Sequence, residues 1–121
     1  MAWDFSNDKP IFQQLIDIIT MRIISGRYKP GDRLDSVRDL AVEAGVNPNT
    51  MQRALNEIES IGLIYVKRGD GRYITEEQEI LNKVRAEYIN KYVDEFVAKM
   101  SALGLSNDDI LKALNLRLIE N

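Results

Sequence analysis

Residues 45–55, Gly-Val-Asn-Pro-Asn-Thr-Met-Gln-Arg-Ala-Leu, constrain the fold more than any other part of the chain. Gly45 can take the positive φ that closes a helix. Val46 supplies an apolar plug for a turn. Asn47 suits an N-cap, because its side-chain oxygen can accept from the exposed N–H groups of a first helical turn. Pro48 then falls at the first helical position, where its missing N–H costs nothing. Met51, Ala54, Leu55 and Ile58 recur at the spacing of one buried stripe. Asn49, Thr50, Gln52 and Arg53 are left facing outward. The pattern predicts the turn and second helix of a helix-turn-helix. Its amides, hydroxyl and guanidinium, from Asn47, Asn49, Thr50, Gln52 and Arg53, are groups that read base edges and hold phosphates. The plainer alternative is the solvated face of a three-helix bundle.

The flanking segments extend this reading. Pro10 opens a helix to about Ser25, with Ile11, Phe12, Leu15, Ile16, Ile18, Ile19, Ile23 and Ile24 predicting a wide buried face. The connector at residues 26–34 carries glycines and a proline, a strong turn signal. A helix over 36–44 starts at Ser36, with Asp39 placed as in a capping box. Arg38, two residues past that cap, can meet a phosphate or a guanine edge; the alternative is an ion pair with Asp35 or Asp39. The recognition-type helix runs from Pro48 to about Ser60 and stops at Gly62. Residues 63–66 read as a strand, 67–72 as a basic loop and 73–75 as a returning strand. Lys67, Arg68, Gly69 and Arg72 at this hairpin suit a wing laid over the minor groove or its phosphates, against the alternative of a solvated charge cluster. Trp3 and Phe5 are expected to dock on the core. The fold expected is mostly α with a small β-hairpin: a winged helix-turn-helix over residues 1–75.

Residues 76–121 change in character. A long helix to about Ala102 lines up Ile80, Val84, Tyr88, Tyr92, Phe96 and Met100. A last helix, capped by Ser106 with Asp109, carries Ile110, Leu111, Leu114 and Leu118. Two helices of this size cannot close a sizeable ligand cavity alone. They can bury apolar faces against a second copy. A two-helix dimerisation segment is therefore expected, with Val84, Tyr88, Tyr92, Phe96, Met100, Leu111, Leu114 and Leu118 on its surface.

Composition narrows the chemistry. With no cysteine and no histidine among 121 residues, disulfides, thiolate nucleophiles and the commonest metal ligands and general bases are absent. No paired-carboxylate, phosphate-loop or metal constellation stands out, so the chain is expected to be neither an enzyme nor dependent on a cofactor or metal. It shows no secretory signal and no membrane-length apolar run, which predicts a cytoplasmic protein. The net charge of −3 suits nucleic-acid binding poorly. Residues 1–75 nevertheless carry ten basic and ten acidic side chains, and the acidic excess lies beyond them.

The run Gly-Arg-Tyr-Lys-Pro-Gly-Asp-Arg-Leu-Asp-Ser-Val-Arg-Asp-Leu-Ala, then Gly-Val-Asn-Pro-Asn-Thr-Met-Gln-Arg-Ala-Leu-Asn-Glu-Ile-Glu, then Gly-Leu-Ile and the Gly-x-Gly wing, resembles the GntR family of bacterial transcription regulators. The Val-Asn-Pro-Asn-Thr-x-Gln-Arg form with a two-helix tail is similar to its YtrA-type subfamily. The resemblance spans residues 10–75. It implies a homodimer binding double-stranded DNA at an inverted-repeat operator near its own promoter, usually as a repressor and often of transporter genes. It places DNA contacts on Arg38, Asn47, Pro48, Asn49, Thr50, Gln52, Arg68 and Gly69. Asp35 stands where the family usually has proline; it suits the helix dipole but lies near the expected phosphate path, where it should weaken binding. A winged-helix protein-interaction module without DNA binding is the alternative function. A small-molecule effector, if one binds, is expected where the wing meets the long helix or at the dimer interface.

Overall fold

The computed structural model describes residues 2–120. In chain order the elements are α1 (Ile11–Ile24), α2 (Val37–Ala44), α3 (Pro48–Ile61), β1 (Ile64–Lys67), β2 (Gly71–Ile74), α4 (Gln78–Ala102) and α5 (Asn107–Glu120). The mostly helical fold with one hairpin is the one the sequence predicts. The chain divides into two compact units, one ending at Val84 and the other beginning at Arg85.

In the first unit, α1 and α2 both pack on α3. The stripe Met51, Ala54, Leu55 and Ile58 is wholly buried, at 0% exposure for each. α1 buries Leu15, Ile16, Ile19 and Ile23, but Ile11 is exposed and Ile18 and Ile24 are only half-buried. Its buried face is thus narrower than its composition predicts, because apolar residues run around more of α1 than its neighbours cover. The turn between α2 and α3 is built as the residue types dictate. Gly45 has φ 77°, and its N–H donates to the Ala41 carbonyl. Asn47 accepts from the Asn49 N–H at 2.7 Å, and Pro48 opens the helix. Ser36 accepts from the Asp39 N–H at 3.1 Å. Trp3 docks on this unit through its backbone N–H to Ala44 and its indole N–H to Glu43 at 2.8 Å, with Arg22 over its ring at 4.1 Å.

The wing is tighter than predicted. β1 and β2 are antiparallel, with Ile64 opposite Ile74, Tyr65 opposite Tyr73, Val66 opposite Arg72 and Lys67 opposite Gly71. Lys67, Gly71 and Arg72, read from sequence as loop, are therefore ladder residues, and only Arg68-Gly69-Asp70 turn. Gly69 makes this possible with φ 76°. The connector before α2 also lies along β2: the Ile74 N–H donates to Asp32, the Leu34 N–H to Arg72, and Arg33 bridges Tyr73. α4 starts two residues later than predicted, since Thr75 accepts from the Glu77 N–H and holds residues 75–77 as a lead-in turn. Leu81 and Val84 of its first turns belong to the core of this unit.

In the second unit, Gly104 separates α4 from α5 with φ 89°. Ser106 and Asp109 form a reciprocal capping box: the Asp109 N–H donates to the Ser106 hydroxyl at 3.2 Å, and the Ser106 N–H donates to the Asp109 carboxylate at 3.1 Å. Phe96, Met100, Ala113, Leu114, Arg117 and Leu118 line an apolar groove of about 300 Å³. Among the described residues, no helix is long and apolar enough to cross a membrane.

Candidate nucleic-acid interface

The buried stripe of α3 fixes what its other face presents. Asn47, Pro48, Asn49 and Arg53 are exposed, while Thr50 and Gln52 are half-buried. Helix periodicity therefore gathers Asn47, Asn49, Thr50 and Gln52 around the amino end of one surface helix. That end also carries the positive pole of the helix. Arg38 is exposed, and among the described residues no ion pair engages it. The anticipated alternative, a pair with Asp35 or Asp39, does not form. Asp35 is exposed as well.

Arg53 has a second attachment. Its guanidinium lies 4.5 Å from the centre of the Phe12 ring, so it covers an aromatic of α1 from the solvent side.

The wing sorts its charges by strand alternation. Ile64, Val66, Arg72 and Ile74 share one face; Tyr65 and Tyr73 share the other and stack at 5.9 Å. Arg72 is thereby turned toward α3. Its Nη2 donates to Asn56 Oδ1 at 3.3 Å, and its Nε lies 3.7 Å from the Glu59 carboxylate. The expectation that Arg72 stands at the hairpin tip is corrected: the ladder begins at Gly71 and aims the next side chain inward. Lys67 rests 4.2 Å over the Tyr73 ring, and Arg68 and Gly69 are exposed at the tip.

Asp70 would place an anion beside these cations, but the structure contains it. Arg33 donates through Nε to its carboxylate at 3.2 Å and through Nη2 to its carbonyl at 2.6 Å, and the Tyr73 hydroxyl donates at 2.6 Å. The Tyr73 hydrogen bond, then the positive charge of Arg33, hold the Asp70 carboxyl below its ordinary pKa. Arg33 carries no local signal of this role, because its partner is 37 residues away. Asn56 was also not anticipated as a site residue. It accepts from Gln52 Nε2 at 2.9 Å, and that contact could have been read from the i, i+4 spacing of two amides on one helix.

Among the dimerisation candidates, Tyr92, Phe96, Leu111 and Leu118 are exposed, and Tyr88, Met100 and Leu114 are half-buried. Val84 differs: it is 6% exposed, so little of its side chain is left for a partner.

A polar amino-terminal face on a recognition-type helix, beside a hairpin with cations at its tip, defines a winged helix-turn-helix regulator. Residues 12–74 match the bacterial regulatory proteins of the gntR family, and the chain belongs to that family of DNA-binding transcription regulators, which are not enzymes. It is 36% identical over 110 residues to the HTH-type transcriptional regulator YhcF of Bacillus subtilis, with 91% of each chain covered. It is 42% identical over 73 residues to the HTH-type transcriptional repressor YtrA of the same organism, covering 60% of this chain and 56% of the relative. Among solved structures, a GntR family transcriptional regulator from Listeria monocytogenes superposes with a TM-score of 0.85 at 36% identity, covering 92% of this chain and 97% of the other.

Proposed function

We propose that the protein is a cytoplasmic repressor that binds an inverted-repeat operator as a homodimer. The observation that carries this reading is α3: a wholly buried stripe beneath an exposed Asn47, Pro48 and Asn49, with Gln52 one turn on. In the reading, each protomer's α3 enters a major groove, and the two half-sites lie about one duplex turn, or a multiple of it, apart. Asn49, Thr50 and Gln52 read bases. Arg38, Asn47, Pro48, Lys67, Arg68 and Gly69 lie along the backbone, with the cations and the Asn47 amide holding phosphates. Arg53, laid over Phe12 of α1, and Arg72, on the wing, support the site instead of reaching DNA. Residues 1–75 supply DNA binding, and residues 76–121 supply the dimer through Tyr88, Tyr92, Phe96, Met100, Leu111, Leu114 and Leu118. The Bacillus subtilis relative YtrA is a transcriptional repressor, which supports the regulatory sign.

The test is selection of bound duplexes from a random pool, followed by affinity measured against salt. The expected outcome is a two-fold symmetric site whose affinity falls with a log–log slope near −0.9 per neutralised phosphate. Arg38→Ala and Gln52→Ala should each cost about 1–3 kcal/mol of operator binding. Enrichment of no duplex, or affinity indifferent to both substitutions, would turn the reading toward a protein-binding winged helix.

A further inference from the structure

A chain of four polar side chains crosses from the wing to the recognition helix: Glu59, Arg72, Asn56 and Gln52. Chemistry fixes the orientation of each amide in it. A guanidinium has donors and no acceptor. The Asn56 atom that Arg72 Nη2 meets at 3.3 Å must therefore be the carbonyl oxygen. Gln52 meets that same oxygen at 2.9 Å, so it must present its NH2 group. Gln52 is left with one free N–H and with its carbonyl oxygen directed away from Asn56. Without Asn56 the amide could rotate by half a turn and exchange donor for acceptor at small cost.

We infer that Asn56, held by Arg72, is a positioning residue that fixes which way round the Gln52 amide faces DNA and thereby limits its base preference to adenine. This rests on the reading of the protein as a sequence-specific DNA binder. One acceptor beside one donor, in fixed order, matches the adenine N6 amino group and N7 in the major groove. A freely rotating amide also satisfies guanine by giving its donor to O6 or N7, and it satisfies the cytosine amino group with its oxygen. The fixed amide therefore gains discrimination without adding a contact. The network would strengthen once DNA displaces water from α3, since hydrogen bonds gain weight in a drier surrounding. The wing thus acts on sequence choice through Arg72, which makes no base contact of its own.

The experiment compares duplex selection by the parent protein, Gln52→Ala, Asn56→Ala and Asn56→Asp. Asn56→Asp keeps an oxygen facing both Gln52 and Arg72, so it should hold the amide as the parent does. The parent should enrich adenine at one position of each half-site, and Gln52→Ala should erase the bias at that position. Asn56→Ala should weaken it roughly tenfold, while Asn56→Asp should retain it even where its added charge lowers overall affinity. In the free proteins, the two Gln52 side-chain NH2 resonances should be well separated for the parent and Asn56→Asp and closer together for Asn56→Ala. Asn56 is exposed, so circular dichroism should show all variants folded. Adenine bias unchanged in Asn56→Ala, bias lost equally in Asn56→Asp, or a parent preference for another base at the Gln52 position would each overturn the inference while leaving DNA binding intact. Failure of the parent to enrich any duplex would overturn both.

Discussion

The two compact units treat the same residue types in opposite ways. Up to Val84, most of the isoleucine, leucine and methionine goes inside: Leu15, Ile19, Leu40, Met51, Leu55, Ile58 and Ile74 are essentially without solvent contact, while Ile11, Met21 and Ile61 are exposed. From Arg85 onward, Ile89, Tyr92, Val93, Phe96, Val97, Leu111, Leu116, Leu118 and Ile119 stand in solvent, and Ile110 alone among the described apolar residues is buried. α1 and α2 close over α3 in a common core, whereas α4 and α5 bring few residues together. The remaining apolar stripe of each helix in the second unit stays outside. Exposed apolar side chains in this number are what the proposed dimer would cover. The first unit thus encloses its own core, and in the proposed homodimer a second copy covers the exposed face of the second.

Truncation should expose that contrast most sharply. Leu55→Ala removes a side chain with 0% exposure and should cost about 2–5 kcal/mol of stability, whereas Leu116→Ala, at 62% exposure, should cost under about 0.5 kcal/mol in the protomer; denaturant midpoints of the pair measure it. Equal losses would end the distinction. Next in size, Phe96→Asp places a charge on the exposed face of α4. For the proposed homodimer, it should raise the dissociation constant by about a hundredfold in sedimentation equilibrium while leaving the helical circular dichroism intact. An unchanged association state would show that this face serves some other purpose.

Smaller effects probe the first unit from its edges. Gly45→Ala forces a Cβ onto a residue with φ 77° and brings it within 2.8 Å of Ala2 Cβ. It should cost about 1–2 kcal/mol, seen as a lowered melting temperature with weaker operator binding. The smallest effect concerns acid. Burial raises the pKa of Glu43, but hydrogen bonds from the Trp3 indole and from Arg22 outweigh it and hold the carboxyl below its ordinary value. Fewer protons are then bound in the folded state than in the unfolded state. The contribution is therefore fully present above the unfolded pKa near 4.5 and is lost as pH falls through the depressed folded value. Glu43→Gln should remove that part of the acid dependence, by less than about 1 kcal/mol because the side chain is 45% exposed. Thermal melts between pH 3 and 7 give the comparison.

Much of the site was legible because it rests on short-range geometry. Gly45, Asn47, Pro48 and the Met51–Ile58 stripe each act within one or two helical turns, and periodicity then leaves Asn49, Thr50 and Gln52 on the far side. The wing was read less well. A shift of the ladder by one residue exchanges the faces of a strand, and placing Gly71 in the ladder turned Arg72 from the tip toward α3. Val84 shows the limit of periodicity: helical spacing groups it with Tyr88 and Tyr92, but its burial shows that spacing does not say where the covering core ends.

The amino-acid sequence alone determined the elements, their caps and the polar face of α3, since these follow from φ preferences, local hydrogen bonds and the 3.6-residue period. Only the tertiary structure decided the partners of Arg33, Arg72 and Asn56. Those contacts join residues from the connector, the wing and α3, and their distances depend on how the whole first unit closes.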